Sequence, residues 1–263
     1  MKNVLTLLVA ILFTAGMSFA QNNDATVSQI GNSHEASIDQ VGSLNTSSIN
    51  ISGGSNSDVR VEQTGDENSA LFEGSGNVFG LQIQTGNNNT TKAGGQNFGN
   101  NSEIRQTQIG DDNTALASRW TQSSNILVTQ TQEGSRNYAE ARRLRGFSTL
   151  DITQTQTGDD NRAVINGTGS GQVYPGVFLQ EQIGNDNEAV IFRHGGSIGG
   201  DHTQVQHGDN NLSRIGSSNS TTLAETFQYG DWNIAFINQY APDNSASITQ
   251  NGDYNTATIN QNN

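Results

Sequence analysis

The sequence has 263 residues, a formal net charge of -13, no cysteine and 32% hydrophobic residues, together with 30 glycines, 33 asparagines and 23 glutamines. An ordinary globular domain is nearly half apolar, so this composition excludes a large enzyme built around a conventional core. The absence of cysteine excludes disulfides, a thiol nucleophile and Cys-ligated zinc, and the acidic balance argues against a nucleic-acid partner. Such a chain is either disordered or held together by repetition.

The first twenty residues have the pattern of a secretory signal peptide. Lys2 gives a basic start, residues 4–13 form an apolar run, and small residues precede a cleavage site after Ala20. The apolar run is too short to span a membrane comfortably. The sequence therefore predicts a signal peptide at 1–20 and an exported chain at 21–263.

One pattern, Gln-x-Gly-x-x-Asn-x-Ala, recurs along the whole of the predicted mature chain. After the first pair, its Gln-x-Gly anchors follow one another at intervals of 21 to 26 residues, which excludes chance recurrence. A disordered chain does not predict the fixed spacing of five residues between the Gln and the Asn. The anchoring glutamines are Gln29, Gln40, Gln63, Gln84, Gln108, Gln132, Gln156, Gln182, Gln206, Gln228 and Gln250.

Within each unit the side chains alternate with a period of two, which predicts two short strands. In the unit anchored at Gln63, this places Val59 and Val61 on the same face as the glutamine, and Ala70 and Phe72 continue that face after the turn. The inward face thus mixes apolar and amide side chains. Gly, Asn and Asp between the strands favour a tight turn because they tolerate left-handed backbone conformations. The predicted turn glycines are Gly31, Gly65, Gly110, Gly158, Gly184, Gly230 and Gly252.

A single unit is too small to be stable, because its inward side chains cannot offset the cost of ordering two strands. Units that stack in register as rungs would pair every backbone donor and acceptor with a neighbour about 4.8 Å away. Repeated amides could then bond the same residue one rung away, which satisfies them when buried. The sequence therefore predicts an all-β, cross-β solenoid of stacked strand-turn-strand rungs. Its ladder residues are the anchoring glutamines with Asn68, Asn113, Asn137, Asn161, Asn187, Asn233 and Asn255.

The full pattern, Ser-x5-Gln-x-Gly-x-x-Asn-x-Ala-x3-Gln, resembles the curlin repeat found in subunits of curli-type bacterial extracellular amyloid fibres. The resemblance is best in Asn244 to Gln261, Ser220 to Gln239 and Gln29 to Gln40, and it extends over almost the whole mature chain. It implies a secreted β-solenoid that polymerises into surface fibres for biofilm matrix and adhesion. Its implied partners are copies of itself, related fibre subunits and the export machinery of the outer membrane.

Some rungs depart from this pattern. His34 replaces the turn Asn, Thr91 replaces an Ala, and Ile51 stands where the closing Gln belongs. These departures leave the major subunit and a minor nucleating subunit as alternatives. Insertions fall between rungs, and one of them contains the dense positive cluster Arg142, Arg143 and Arg145. This cluster is either a docking point for an acidic surface of another subunit, for anionic polysaccharide or for the export machinery, or a solvated loop whose charges slow premature aggregation.

No motif predicts catalysis, a cofactor or a metal site, and the four histidines are scattered along the chain. His202 and His207 have opposite inferred orientations, so we expect surface or turn histidines. Stacked acidic turns could bind divalent ions weakly, but the chain lacks the nonapeptide of calcium-binding β-rolls. These turns contain Asp66, Asp111, Asp159, Asp209, Asp231 and Asp253.

The remaining alternative to a fibre subunit is a monomeric secreted solenoid that binds a surface glycan or ice. Such a protein would present one outward column of near-identical residues, whereas the outward positions here vary among Thr, Arg, Glu, Tyr and Leu. Both ends of the chain are regular rungs without a cap, and open strand edges invite addition of another molecule. We therefore expect head-to-tail polymerisation by strand addition.

Overall fold

The computed structural model describes residues 22–94, 101–118, 125–142, 149–167, 175–193, 200–218 and 222–262. Within these ranges the regular structure consists of strands, and no helix is long and apolar enough to cross a membrane. The strands are β1 (Asp24–Asn32), β2 (Glu35–Val41), β3 (Thr46–Ser55), β4 (Asp58–Thr64), β5 (Ser69–Gly74), β6 (Val78–Thr85), β7 (Thr90–Gly94), β8 (Ser102–Ile109), β9 (Thr114–Ser118), β10 (Ile126–Glu133), β11 (Tyr138–Arg142), β12 (Leu150–Thr157), β13 (Arg162–Gly167), β14 (Gly176–Ile183), β15 (Glu188–Arg193), β16 (His202–His207), β17 (Leu212–Ser217), β18 (Leu223–Tyr229), β19 (Ile234–Gln239), β20 (Ser245–Asn251) and β21 (Thr256–Gln261).

Successive strands alternate between two parallel sheets. The odd-numbered strands form an 11-stranded sheet and the even-numbered strands form a 10-stranded sheet, here called the odd sheet and the even sheet. Each strand therefore pairs with the strand two places along the chain, and the two strands of a rung lie in different sheets. A chain wound in this way is a β-solenoid, so the predicted fold class is confirmed.

The rungs stack in register, so that equivalent residues lie directly next to one another. In the even sheet, for example, Gln108 is opposite Gln132, which is opposite Gln156. The turns stack in the same way, since the amide of Asp112 donates to the carbonyl of Asn87 over 3.0 Å. Backbone groups in both strands and turns are thus satisfied by the neighbouring rungs.

The core lies between the two sheets and is formed by the inward half of each strand. In the rung that contains Gln63, the predicted inward residues Val59, Val61, Ala70 and Phe72 are all buried. Their columns continue through the solenoid, and fully buried isoleucines and alanines occupy most of the apolar positions. This narrow apolar strip is interrupted by buried amides at regular intervals.

The first turn residue must be glycine for steric reasons. Gly134 has a φ of +115°, and a Cβ atom at this position would collide with the carbonyl oxygen of Gly158 in the next rung. The third turn residue is left-handed as well, but its side chain points away from the stack. Glu67, Arg136 and Trp232 therefore occupy it at φ values of 58°, 58° and 59°, so this position also accepts residues other than Gly, Asn and Asp.

We predict that Gly134→Ala destabilises the solenoid by roughly 2 to 4 kcal/mol, because it combines an unfavourable φ with a collision against the adjacent backbone. The measurement is urea unfolding followed by circular dichroism. Gly53→Ala is the matched control, since Gly53 also has a positive φ of +78° but a Cβ added there would meet no atom within 4 Å. Equal losses of stability in the two variants would contradict steric stacking of the turns.

Candidate functional site: side-chain ladders and open ends

A continuous chain of amide hydrogen bonds runs along the inside of the even sheet. In each step, Nε2 of one glutamine donates to Oε1 of the glutamine in the following rung over 2.7–3.0 Å. The remaining Nε2 hydrogen of Gln156 reaches the carbonyl of Tyr138 in the odd sheet at 3.2 Å. This first glutamine ladder therefore links neighbouring rungs and also links the two sheets. Its members are Gln40, Gln63, Gln84, Gln108, Gln132, Gln156, Gln182, Gln206, Gln228 and Gln250.

The sequence predicted that Gln29 belongs to this ladder, and the strand pairing shows that this prediction is wrong. The residue lies in β1, which belongs to the odd sheet, where its neighbour is Ile51. Because Ile51 has no hydrogen-bonding side chain, Nε2 of Gln29 is left without a partner. The equivalent position holds glutamine again only near the other end of the described odd sheet, where Gln239 donates to Gln261 over 3.0 Å.

An asparagine ladder runs along the turns. The backbone amide of each asparagine donates to Oδ1 of the asparagine in the preceding rung over 2.9–3.1 Å. In most rungs Nδ2 also donates to the turn-glycine carbonyl of the following rung. The structure places in this ladder the predicted residues Asn68, Asn113, Asn137, Asn161, Asn187, Asn233 and Asn255, together with Asn23, Asn45, Asn89 and Asn211.

Most of the predicted turn glycines occupy equivalent places beside this ladder, whereas Gly31 lies near the end of β1 on the opposite side of the solenoid, next to Gly54. All of them have positive φ values: Gly31, Gly65, Gly110, Gly158, Gly184, Gly230 and Gly252. The same conformation occurs at Gly42, Gly86, Gly134 and Gly208, which sequence reasoning did not single out. The signal for them was present, because each follows an anchoring glutamine by two residues.

Sequence reasoning missed a second glutamine ladder in the middle of the even sheet. Nε2 of each member donates to Oε1 of the next over 2.7–2.8 Å. Most facing positions of the odd sheet hold small alanines, although Gln204 faces Ser213, and Nε2 of Gln106 reaches the carbonyl of Ala115 at 2.9 Å. The available signal was the repeated Gln-x-Gln motif. The members are Gln82, Gln106, Gln130, Gln154, Gln180 and Gln204.

The acidic turn residues also form a stacked row. Their Oδ1 atoms accept backbone amides from the preceding rung, as when the amide of Asn87 donates to Asp111 over 2.7 Å. Hydrogen bonds from the side chain and backbone of Ser43 hold the pKa of Asp66 below its ordinary value. Among the described residues, no group of three or more His, Asp or Glu side chains could hold a metal ion.

Two histidines lie in unexpected surroundings. His202 was expected at the surface or in a turn but is 2% exposed, because β16 directs it inward between Phe178 and Ala224. Burial lowers the pKa of His202 to about 4. His34 takes the place of a turn asparagine, and its Nδ1 atom accepts the backbone amide of Ser57 at 3.3 Å, as an asparagine Oδ1 would.

Ion pairs lie on the outward faces of both sheets and in the turns. Arg142 lies at the end of β11 and pairs with the buried Glu140 at 3.1 Å, while Arg143 and Arg145 lie outside the described residues. Burial, together with the nearby Glu140 carboxylate, raises the pKa of Tyr138 to about 12. In the turns, the Arg136 guanidinium holds the pKa of Asp160 below its ordinary value.

Both ends of the solenoid are open. β1 and β2 at one end, and β20 and β21 at the other, each have a strand partner on one side only within the described residues. Inward apolar residues of β1, β2 and β21 are consequently only partly buried, whereas Ala246 and Ile248 of β20 stay buried and Ala235 and Ile237 of β19 are fully buried. The partly covered residues are Val27, Ala36, Ile38, Ala257 and Ile259.

The fold and the ladders together define a cross-β solenoid with an amide-rich core, and no cap covers its first or last rung within the described residues. The family model described as the curlin associated repeat matches residues 20–50, 216–252 and 241–263. The chain therefore carries curlin repeats in the regions that form both ends of the solenoid, and the resemblance to the curlin-repeat family is confirmed. No curated protein matches the chain at a significant level.

The glutamine ladder predicts unequal effects for two adjacent substitutions. Gln156→Ala leaves Nε2 of Gln132 and Oε1 of Gln182 without their ladder partners, which we expect to cost roughly 3 kcal/mol. Thr155→Ala changes only an outward side chain and should cost less than about 0.5 kcal/mol. Urea unfolding measures both values. Equal effects would count against the ladder as a stabilising element.

The burial of His202 predicts that the solenoid loses stability over a defined range of acidic pH. The pKa of His202 is about 4 in the folded chain and 6.5 in the unfolded chain. Between these values the unfolded chain binds a proton that the folded chain does not bind, so the free energy of unfolding falls as the pH drops from 6.5 to about 4. We expect a loss of about 3 kcal/mol over this window. His202→Leu should remove that part of the pH dependence. An unchanged slope between pH 6.5 and 4 in this variant would contradict the assignment.

Proposed function

We propose that the protein is the structural subunit of a secreted curli-type fibre and that it polymerises head to tail through the open end rungs. The observation that carries this proposal is the pair of uncapped ends, each with unpaired strand edges and partly covered Ala, Val or Ile side chains. Open edges of this kind are suited to the addition of another strand. The curlin repeats in both end regions support the same conclusion, because the family consists of extracellular fibre subunits.

Every kind of interaction that stabilises the interior of the solenoid would also stabilise a strand added at its end. A new rung would extend the backbone hydrogen bonds of both sheets, bury the exposed sides of Ile259 and Ala257, and continue the amide ladders. No covalent step or cofactor is involved. Growth would follow from the same contacts that hold one rung to the next within the subunit.

The outward residues favour a fibre subunit over a monomeric glycan-binding solenoid. Along one outward column of the even sheet, Thr107, Thr131 and Thr155 are adjacent, but Ile83 and Glu181 flank them. A column so mixed does not present the uniform flat surface of a repetitive ligand site. We retain the minor nucleating subunit of the same fibre as the alternative, since its end rungs would work in the same way.

Secretion and assembly partners complete the proposal. The signal peptide at 1–20 would direct export and leave Gln21 at the start of the mature chain, in agreement with an extracellular fibre family. The proposed partners are further copies of the chain, related fibre subunits and the outer-membrane export machinery. Adhesion and a role in biofilm matrix would be properties of the finished fibre.

We expect purified chain 21–263 to form fibres with a reflection near 4.8 Å, and sonicated fibres to abolish the lag of fresh monomer. Ile259→Lys should slow seeded elongation at least tenfold, because it puts a charge on the inward side of the open end. Thr258→Lys is the matched control and should elongate normally, since its side chain points outward. Amyloid-dye fluorescence follows the kinetics.

Failure of the unmodified chain to form fibres with this reflection would contradict the proposed function. Equal elongation by the two lysine variants would instead show that growth does not use the inward face of the last rung.

A further inference from the structure

The number of strands constrains how two subunits can join. The described chain contains 21 strands that alternate strictly between the two sheets, so both the first strand, β1, and the last strand, β21, lie in the odd sheet. Neighbours in each sheet are hydrogen-bonded to one another, which leaves no room for a further strand inside either sheet. The part of the chain that the structure describes is therefore ten and a half coils long.

A second subunit in the same orientation would not fit this geometry. Its β1 would pair with β21 in the odd sheet, but one strand position would stay empty in the even sheet between β20 and the incoming β2. The edges of both strands would then keep unpaired backbone amides and carbonyls inside the fibre. Buried unpaired groups of this kind are costly, so this junction is disfavoured.

We propose that each subunit is rotated by a half turn about the solenoid axis relative to the one before it. This inference rests on the proposed head-to-tail fibre and specifies its junction. After the rotation, the incoming β1 continues the even sheet next to β20, and the incoming β2 continues the odd sheet next to β21. Both sheets are then continuous, and strands remain parallel because the half turn also reverses the direction of the incoming strands.

The side chains of the two ends match in this arrangement without a gap. Residues 250–261 align with residues 29–40, which places Gln250 next to Gln29 and Gln261 next to Gln40. The inward apolar residues are matched as well, with Ile259 next to Ile38 and Ala257 next to Ala36. Those residues are among the ones that the isolated subunit leaves partly covered.

The turns at the two ends have matching backbone conformations. In the turn between β20 and β21, Gly252 has a φ of 98° and Tyr254 has a φ of 57°. In the turn between β1 and β2, Gly31 has a φ of 141° and Ser33 has a φ of 56°. His34 occupies the asparagine position of that turn, so its backbone amide can donate to the open Oδ1 atom of Asn255, as in the internal rungs.

The half turn also accounts for the distribution of the odd-sheet glutamines. Among the described residues, the third inward position of the odd sheet holds Gln29, Gln239 and Gln261 at the ends, but Ile51, Gly74, Gly167, Arg193 and Ser217 between them. At the proposed junction, Gln250 donates to the incoming Gln29, and Gln261 donates to the incoming Gln40. Both sides of the core then carry amide ladders across the junction.

Hydrogen-bond polarity fixes the direction of this joint. Inside the subunit, each ladder glutamine donates to the rung that follows it in the chain. The end with β20 and β21 therefore presents glutamine Nε2 donors and the Oδ1 acceptor of Asn255, whereas the end with β1 and β2 presents glutamine Oε1 acceptors and a backbone amide donor. Two like ends would place donor against donor or acceptor against acceptor.

With ten and a half coils at about 4.8 Å each, the rise per subunit is about 50 Å.

The test uses two cysteine pairs in the mature chain, which has no native cysteine. In the half-turn junction, outward Ser28 lies next to outward Thr249, about 4.8 Å away and within reach of a disulfide. In the unrotated junction, Ser28 lies next to Asn260 instead. We would assemble Ser28→Cys/Thr249→Cys and Ser28→Cys/Asn260→Cys into fibres, oxidise them mildly and compare covalent oligomers on non-reducing gels, with the single-cysteine variants as background.

We expect the Ser28→Cys/Thr249→Cys fibres to give at least tenfold more oligomers than the Ser28→Cys/Asn260→Cys fibres. The reverse result would overturn the half turn while leaving the fibre function intact. Fibres in which neither pair links above the single-cysteine background would also overturn it, because the junction would then lie elsewhere. If the unmodified chain forms no fibres, the proposed function itself fails.

Discussion

The structure depends on one interaction, the hydrogen bond between identical side-chain amides one rung apart. A buried primary amide that lacks partners costs more free energy than these small inward side chains can recover. In the first glutamine ladder, each interior amide gains a donor and an acceptor from its neighbours, together with a backbone carbonyl from the opposite sheet. Parallel, in-register stacking and a nearly constant repeat length follow, because any slip of register would break the whole ladder at once.

The same interaction gives the molecule its direction and its open ends. Each ladder glutamine accepts a hydrogen bond from the preceding rung and donates one to the following rung, so the last glutamine always has a free donor for another rung. A cap would have to replace an amide partner on every inward glutamine and asparagine. In the described part of the chain the end rungs have no such replacement, and the regularity that stabilises the interior leaves these ends suited to bind another copy. Folding and polymerisation are therefore two consequences of one repeated contact.

The sequence was sufficient for the fold class, the inward faces and most of the ladder, because these depend on local spacing. It was insufficient wherever the answer depended on which sheet a strand joins. Gln29 fits the motif as well as Gln63 does, yet β1 lies in the odd sheet and faces Ile51. Gln106 lies two residues before Gln108, and the repeated Gln-x-Gln motif marks a second inward glutamine, but its contact with the Ala115 carbonyl depends on the facing strand. The burial of His202 likewise follows from the register of β16 with β14, which a surface or turn assignment could not include.

Hydrogen–deuterium exchange of the side-chain amides, followed residue by residue by NMR, tests the ladder most directly. If the ladders hold the core, the Nε2 protons of Gln108, Gln130 and Gln156 exchange at least a hundredfold more slowly than those of the exposed Asn50 side chain. Exchange of the buried and exposed amides at the same rate, in a chain whose backbone amides are protected, would show that these side chains are not bonded to one another. The account of the core as a set of amide ladders would then be wrong.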